Sequence, residues 1–162
     1  MRSISPYLNF KDKTEEAFNF YKSVLGGEFT MLQRFKDMPP GSGEVAESEK
    51  DLILHVSLTL NKGIVIMGSD APEAHGLNVV FGNKVHISID AESEEEAEQL
   101  FKGLSKGGKV DMPLQKMFWG AMYASFAEVR SIGWSISVSS SDLWRLDSRR
   151  NKRGSGPSSD RK

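Results

Sequence analysis

The feature that most constrains this chain is an internal repeat. Thr14-Glu15-Glu16-Ala17 recurs as Ser93-Glu94-Glu95-Glu96-Ala97, and Gly26-Gly27-Glu28 recurs as Gly107-Gly108-Lys109. The offset drifts from 79 to 81 positions between these matches, as diverged copies of one unit would show. In each copy an apolar alternating segment precedes the helix, over residues 4–10 and then 85–90. The helical stripes follow: Ala17, Phe18, Tyr21, Val24 and Leu25 in the first copy, Ala97, Leu100, Phe101 and Leu104 in the second. Thr14 is placed to cap the first helix, with Glu15 and Glu16 at its positive end. Ser93 with Glu96 reads as a capping box. The paired glycines close each helix, where a left-handed backbone is needed.

Each helix is then followed by three strand candidates. In the first copy these are residues 28–35, 51–60 and 64–69, the last two forming a hairpin around Asn61-Lys62-Gly63. In the second they are residues 109–114, 118–128 and 132–138. Residues 37–50, with Met38-Pro39-Pro40-Gly41, read as a loop, and residues 70–77 as a linker. The expected fold is therefore α+β: two tandem βαβββ modules, about 1–72 and 83–138, each with a curved, antiparallel-rich sheet. One sheet face lies on the helix and the other lines a cleft.

Composition narrows the function. The 162 residues include no cysteine, which excludes disulfides, thiolate metal sites and a cysteine nucleophile, and suits a reducing cytoplasm. No apolar run is long enough for a membrane span, and Met1–Pro6 lacks the apolar stretch of a secretory signal. The net charge of −1 conceals an asymmetry. Residues 145–162 carry seven basic side chains against Asp147 and Asp160, a net of +5, which leaves −6 on residues 1–144. An acidic body argues against a nucleic-acid face on the folded part. Residues 139–162 read as a basic, disordered tail, or as an extension or reading-frame change foreign to the domain.

Five blocks in order make the chain resemble the vicinal oxygen chelate superfamily, in particular the PhnB-like branch of glyoxalase/bleomycin-resistance-type proteins. They are Pro6-Tyr7-Leu8-Asn9-Phe10; Ala17-Phe18 with Phe20-Tyr21 and Leu25-Gly26-Gly27; Met67-Gly68-Ser69-Asp70-Ala71-Pro72; Gly107-Gly108-Lys109-Val110 with Met112-Pro113-Leu114; and Phe118-Trp119-Gly120. The resemblance spans residues 1–138 and implies a homodimer of paired modules that binds small molecules. Its alternative implication is a metal-dependent lyase, isomerase or dioxygenase. PhnB-like proteins are sometimes labelled methyltransferases, but no glycine-rich loop for S-adenosylmethionine follows a strand here. The positions in register with the metal ligands of relatives hold Ser5, Met67, His86 and Ser135. One imidazole with two hydroxyls and a thioether is a poor divalent site, so no cofactor is expected and His86 is the sole weak metal candidate. The resemblance also fails locally at Ala127-Glu128-Val129-Arg130-Ser131, where relatives turn with an aspartate, an aromatic residue and a glycine, so the repeat is followed to about Phe126.

The ligand-binding candidates are the polar and aromatic residues on the strand faces that alternate with the core. Tyr7 and Asn9 share one face of the first strand, and His55, Ser57 and Thr59 one face of the third. His86 and Ser88 share one face of the fifth. Trp119, with Met117 and Met122, would supply an adaptable apolar wall, or else core packing. His75 lies in the linker and has no expected role. A Ser57–His55–Asp90 triad lacks any strand–turn–helix nucleophile elbow. The Glu94–Glu96 cluster is explained by the helix N-terminus it occupies.

Overall fold

A computed structural model describes residues 3–41, 45–72, 79–80 and 82–138 of the chain. His75 and the basic tail of residues 139–162 lie outside the described residues. The elements run β1 (Tyr7–Phe10), α1 (Thr14–Leu25), β2 (Glu28–Arg34), β3 (Ile53–Thr59), β4 (Val65–Asp70), β5 (His86–Asp90), α2 (Glu94–Leu104), β6 (Lys109–Lys116), β7 (Met122–Ala127) and β8 (Gly133–Val138). Short 3-10 turns occupy Phe35–Asp37, Glu47–Glu49 and Asn61–Gly63.

The elements form two mixed sheets of the same topology, ordered β1-β4-β3-β2 and β5-β8-β7-β6. In the first, β1 runs parallel to β4, and the β2–β3 and β3–β4 pairs are antiparallel. This is the duplicated βαβββ fold expected from the repeat. By contacts the chain divides into two units, one comprising residues up to Ile87 together with Val129–Ile132, the other Ser88–Glu128 with the segment from Gly133.

In the first sheet α1 packs on β3 and β4, and the apolar residues buried on that side include Phe10, Ala17, Phe18, Tyr21, Val56, Leu58 and Ile66. Each fully buried side chain of this size contributes about 1.5–3 kcal/mol by leaving water. Gly68 permits the close approach, since a Cβ there would stand 2.6 Å from the Phe18 ring and 2.7 Å from the Leu8 carbonyl oxygen. In the second sheet, Ala97, Leu104, Ala124, Phe126, Trp134 and Ile136 are buried, with Phe101 edge-on to Phe126 at 5.5 Å between centroids.

The helix starts differ from the expected caps. Thr14 is the first residue of α1 and does not cap it; its backbone N–H (3.0 Å) and its hydroxyl (2.7 Å) both donate to Oδ1 of Asp70. The other oxygen of Asp70 accepts the Ile53 N–H at 2.8 Å. Asp70 is thus the buried last residue of β4 rather than the start of a linker. In α2, Ser93 does cap, accepting the Glu96 N–H at 3.1 Å, but the Glu96 carboxylate closes on the N–H of Glu92 instead of that of Ser93.

The repeat persists to the end of β8. Hairpins β3–β4 and β7–β8 turn through residues 60–64 and 128–132, and Thr59 pairs with Val65 as Ala127 pairs with Gly133. At the position of Gly63 (φ 75°) the second copy has Ser131 (φ 68°), the sole described non-glycine residue with positive φ. The sequence departs from the repeat here while the backbone does not, so a serine is held in a conformation that costs an L-residue about 1–2 kcal/mol. Beside it, Arg130 donates to Glu16 at 2.7 Å and lies over Phe20, which holds the Glu16 carboxyl below the usual carboxylate range.

Replacing Ser131 by glycine should stabilise the protein by about 0.5–1 kcal/mol in urea denaturation, because glycine adopts this backbone without the steric cost. Asp70→Ala strands two buried N–H donors and should cost about 3 kcal/mol in the same measurement.

Candidate functional site

The side of the first sheet facing away from α1 carries the expected candidates in an ordered array. Register places Tyr7 opposite Met67, Met67 opposite Ser57, and Ser57 opposite Met31, so one row crosses all four strands. His55 stands two residues from Ser57 on the same side, opposite Gln33. Asn9 pairs with Ser69, whose hydroxyl donates to Asn9 Oδ1 at 3.3 Å.

A continuous hydrogen-bond chain runs through this array. The Tyr7 hydroxyl is 3.2 Å from His55 Nδ1, and His55 Nε2 is 2.9 Å from Ser57 Oγ. The Tyr7 and His55 rings lie 5.7 Å apart and tilted by 35°. Exposure falls along the chain, from 44% at Tyr7, through half-buried His55, to 9% at Ser57. Met31, 47% exposed, and Met67 flank the serine with polarizable apolar surface. The structure therefore brings together Tyr7, His55 and Ser57, with Asn9 on the same face.

Other candidates sit elsewhere. His86 is exposed on β5, alternating with half-buried Ile87. Trp119 is not in a strand. It occupies the β6–β7 turn, closed by the Gly120 N–H to the Met117 carbonyl at 2.9 Å, because Gly120 takes positive φ (90°) and β7 begins only at Met122. Trp119 is 45% exposed and edge-on to Phe118, which is 96% exposed. Met122 alternates in phase with buried Ala124 and Phe126, which places it on the side facing α2.

Sequence reasoning missed the two methionines of the first row as partners of Ser57, and the equivalent row of the second sheet. There Met112 pairs with Ser125, and Ser125 with Ser135. Both Met31 and Met112 follow a register shift at the same place in their strands, between Phe29 and Met31 and between Val110 and Met112. Such a bulge re-aims the side chains beyond it, and simple alternation cannot anticipate one. The usable signal was the repeat itself, since Met31 and Met112 are 81 positions apart.

A model of the Glyoxalase/Bleomycin resistance protein/Dioxygenase superfamily matches residues 4–133. The chain belongs to this superfamily. Protein PA1353 from Pseudomonas aeruginosa is 33% identical, with a TM-score of 0.75 over 85% of this chain and 98% of its own. The PhnB protein from Bacillus cereus is 25% identical, with a TM-score of 0.69 over 85% of this chain and 100% of its own. FosX, a fosfomycin resistance protein of Listeria monocytogenes solved with Mn(II) and a dihydroxypropylphosphonic acid, shares 12% identity and a TM-score of 0.59, over 90% of this chain and 98% of its own. That similarity concerns the fold alone. No curated protein matches the chain.

An ion such as the Mn(II) present in the FosX structure does not fit the residues at the positions that the resemblance puts in register with metal ligands. Met67 presents a thioether, Ser5 and Ser135 present hydroxyls, and His86 the one imidazole, whereas a divalent ion requires several nitrogen or anionic oxygen donors. Among the described residues no group of three or more His, Asp or Glu side chains is arranged to hold an ion. Addition of about 0.1 mM Mn(II) or Zn(II) should therefore move the melting temperature by less than about 1 °C, since an ion stabilises the fold only through affinity for the native state.

Proposed function

We propose that this protein binds a small, partly apolar molecule on the open face of its first sheet and acts without a metal. The observation that carries this reading is the Tyr7–His55–Ser57 hydrogen-bond chain set in a row with two methionines. Binding sites combine apolar surface with a few fixed polar groups that orient the ligand, and this row has that composition. Asn9 and Ser69 extend the polar edge. His86, Trp119 and Met122 stand outside this row and take no part in the proposal. The family supports small-molecule binding, and the PhnB protein is among the chain's solved neighbours.

The same reading takes the protein as a homodimer working in the cytoplasm. No helix among the described residues is long and apolar enough to cross a membrane. The cysteine-free composition suits a reducing compartment. Phe118 and Trp119, exposed at the β6–β7 turn, offer apolar surface to a second copy.

Thermal-shift screening against a library of aromatic and aliphatic metabolites tests the proposal. At least one compound should raise the melting temperature, and Tyr7→Phe or Ser57→Ala should weaken its binding by about 5–10-fold, the usual loss for one hydrogen bond of about 1 kcal/mol. A hit whose affinity is indifferent to both substitutions, or a library without hits, overturns it.

A further inference from the structure

The hydrogen-bond chain sets the class of ligand more narrowly, on the premise that this face is the binding site. Tyr7, neutral His55 and Ser57 have three exchangeable protons between them: two hydroxyl protons and one on the imidazole. Two are consumed by the two hydrogen bonds of the chain. In one tautomer Tyr7 donates to Nδ1 and Nε2 donates to Ser57, which leaves the serine proton outward. In the other, Nδ1 donates to Tyr7 and Ser57 donates to Nε2, which leaves the tyrosine proton outward. Either way the neutral chain presents one outward donor. When the imidazole is protonated, both ring nitrogens donate, both hydroxyls accept from the ring, and both hydroxyl protons turn outward. The face then offers two donors backed by a positive charge.

Among the described residues of the first sheet, none facing the array compensates that charge. The facing residues on β1, β4 and β2 are Tyr7, Asn9, Met67, Ser69, Met31 and Gln33, all uncharged at neutral pH. The charges on the neighbouring elements are engaged with one another. Arg34 of β2 forms a two-pronged pair with Glu15 of α1, at 2.6 and 3.1 Å. Lys36 meets Asp51 at 2.7 Å, Lys22 of α1 meets Glu28 of β2 at 2.7 Å, and Arg130 meets Glu16. Asp70, at the end of β4, is buried and spends both oxygens on Thr14 and Ile53.

We infer that this face is a site for a planar molecule bearing an oxyanion, its ring on Met31 and Met67 and its oxygens on the Tyr7 and Ser57 hydroxyls, with binding that strengthens as His55 takes up a proton. Charge-assisted hydrogen bonds are about twice as strong as neutral ones. The class is thus aromatic or conjugated carboxylates and their like, in preference to neutral isosteres of the same shape.

Calorimetric titration with 2-naphthoate and with its neutral counterpart 2-naphthamide, at pH 8.0 and pH 5.5, tests this. The naphthoate stays ionised throughout. Its dissociation constant should fall by about tenfold on acidification, while that of the amide changes by less than about twofold. The chain has three histidines, and His55→Gln should abolish the pH dependence of naphthoate binding while His86→Gln leaves it intact. Equal pH responses for acid and amide, a dependence that survives His55→Gln, or no naphthoate binding at either pH overturns the inference. The broader binding proposal is then judged separately, by whether other compounds bind and lose affinity on Tyr7→Phe or Ser57→Ala.

Discussion

The first module is organised around one buried carboxylate. Asp70 ends β4, pairs in register with Phe10 at the end of β1, and receives the backbone N–H and hydroxyl of Thr14 and the N–H of Ile53. Three elements besides its own are thereby fixed at a single point: the start of α1, the start of β3 and the end of β1. A carboxylate taken out of water is tolerated only when its lone pairs are filled, and here both oxygens are occupied. With the N-terminus of α1 pinned to the sheet, the helix covers the Val56, Leu58 and Ile66 side. That decides which side stays open for Tyr7, His55 and Ser57.

The second module solves the same problem locally. Four residue pairs give one offset of 68 positions between the last two strands of the copies, which matches Asp70 with Val138, whose side chain cannot accept hydrogen bonds. Correspondingly, α2 is capped from its own sequence, by Ser93 on the Glu96 N–H and by Glu96 on the Glu92 N–H. Thr14 and Ser93 look interchangeable as caps, yet one is bound by a distant carboxylate and the other by its own helix. A distant partner of this kind leaves no local trace, which is why the sequence could not distinguish them.

Much else was legible because period and chirality dictate it. Alternation in β3 separated Val56 and Leu58 from His55 and Ser57, and the paired glycines marked the end of α1, whereas α2 ends at Leu104 with Ser105 as its cap and reaches Gly107 (φ 75°) only after a further turn. Gly27 and Gly108 also play a second, matching part: a Cβ at either would press on the carbonyl oxygen of Thr59 or Ala127, where the following strand meets its partner. Trp119 was misplaced because residues 118–128 read as one apolar run, and only Gly120 with its positive φ interrupts it. Ser131 was opaque for the opposite reason. The turn it serves is specified by its neighbours and by the strand pairing on either side, not by its own preference.

The rows that cross the two open faces show what duplication followed by divergence achieved. Each retains a methionine beyond a bulge and a serine opposite it, Met31 with Ser57 and Met112 with Ser125. The remaining positions differ: Met67 is matched by Ser135, His55 by Tyr123, and Tyr7 by Ser88, by the offsets of 68 and 81. Only the first row joins a titratable ring to a hydroxyl at each of its nitrogens. A hydrogen-bond chain needs only residues two apart on one strand and a neighbour across the sheet. The recognition proposed for the first sheet therefore needs no donor from the second, whose matching positions can differ without dismantling the chain.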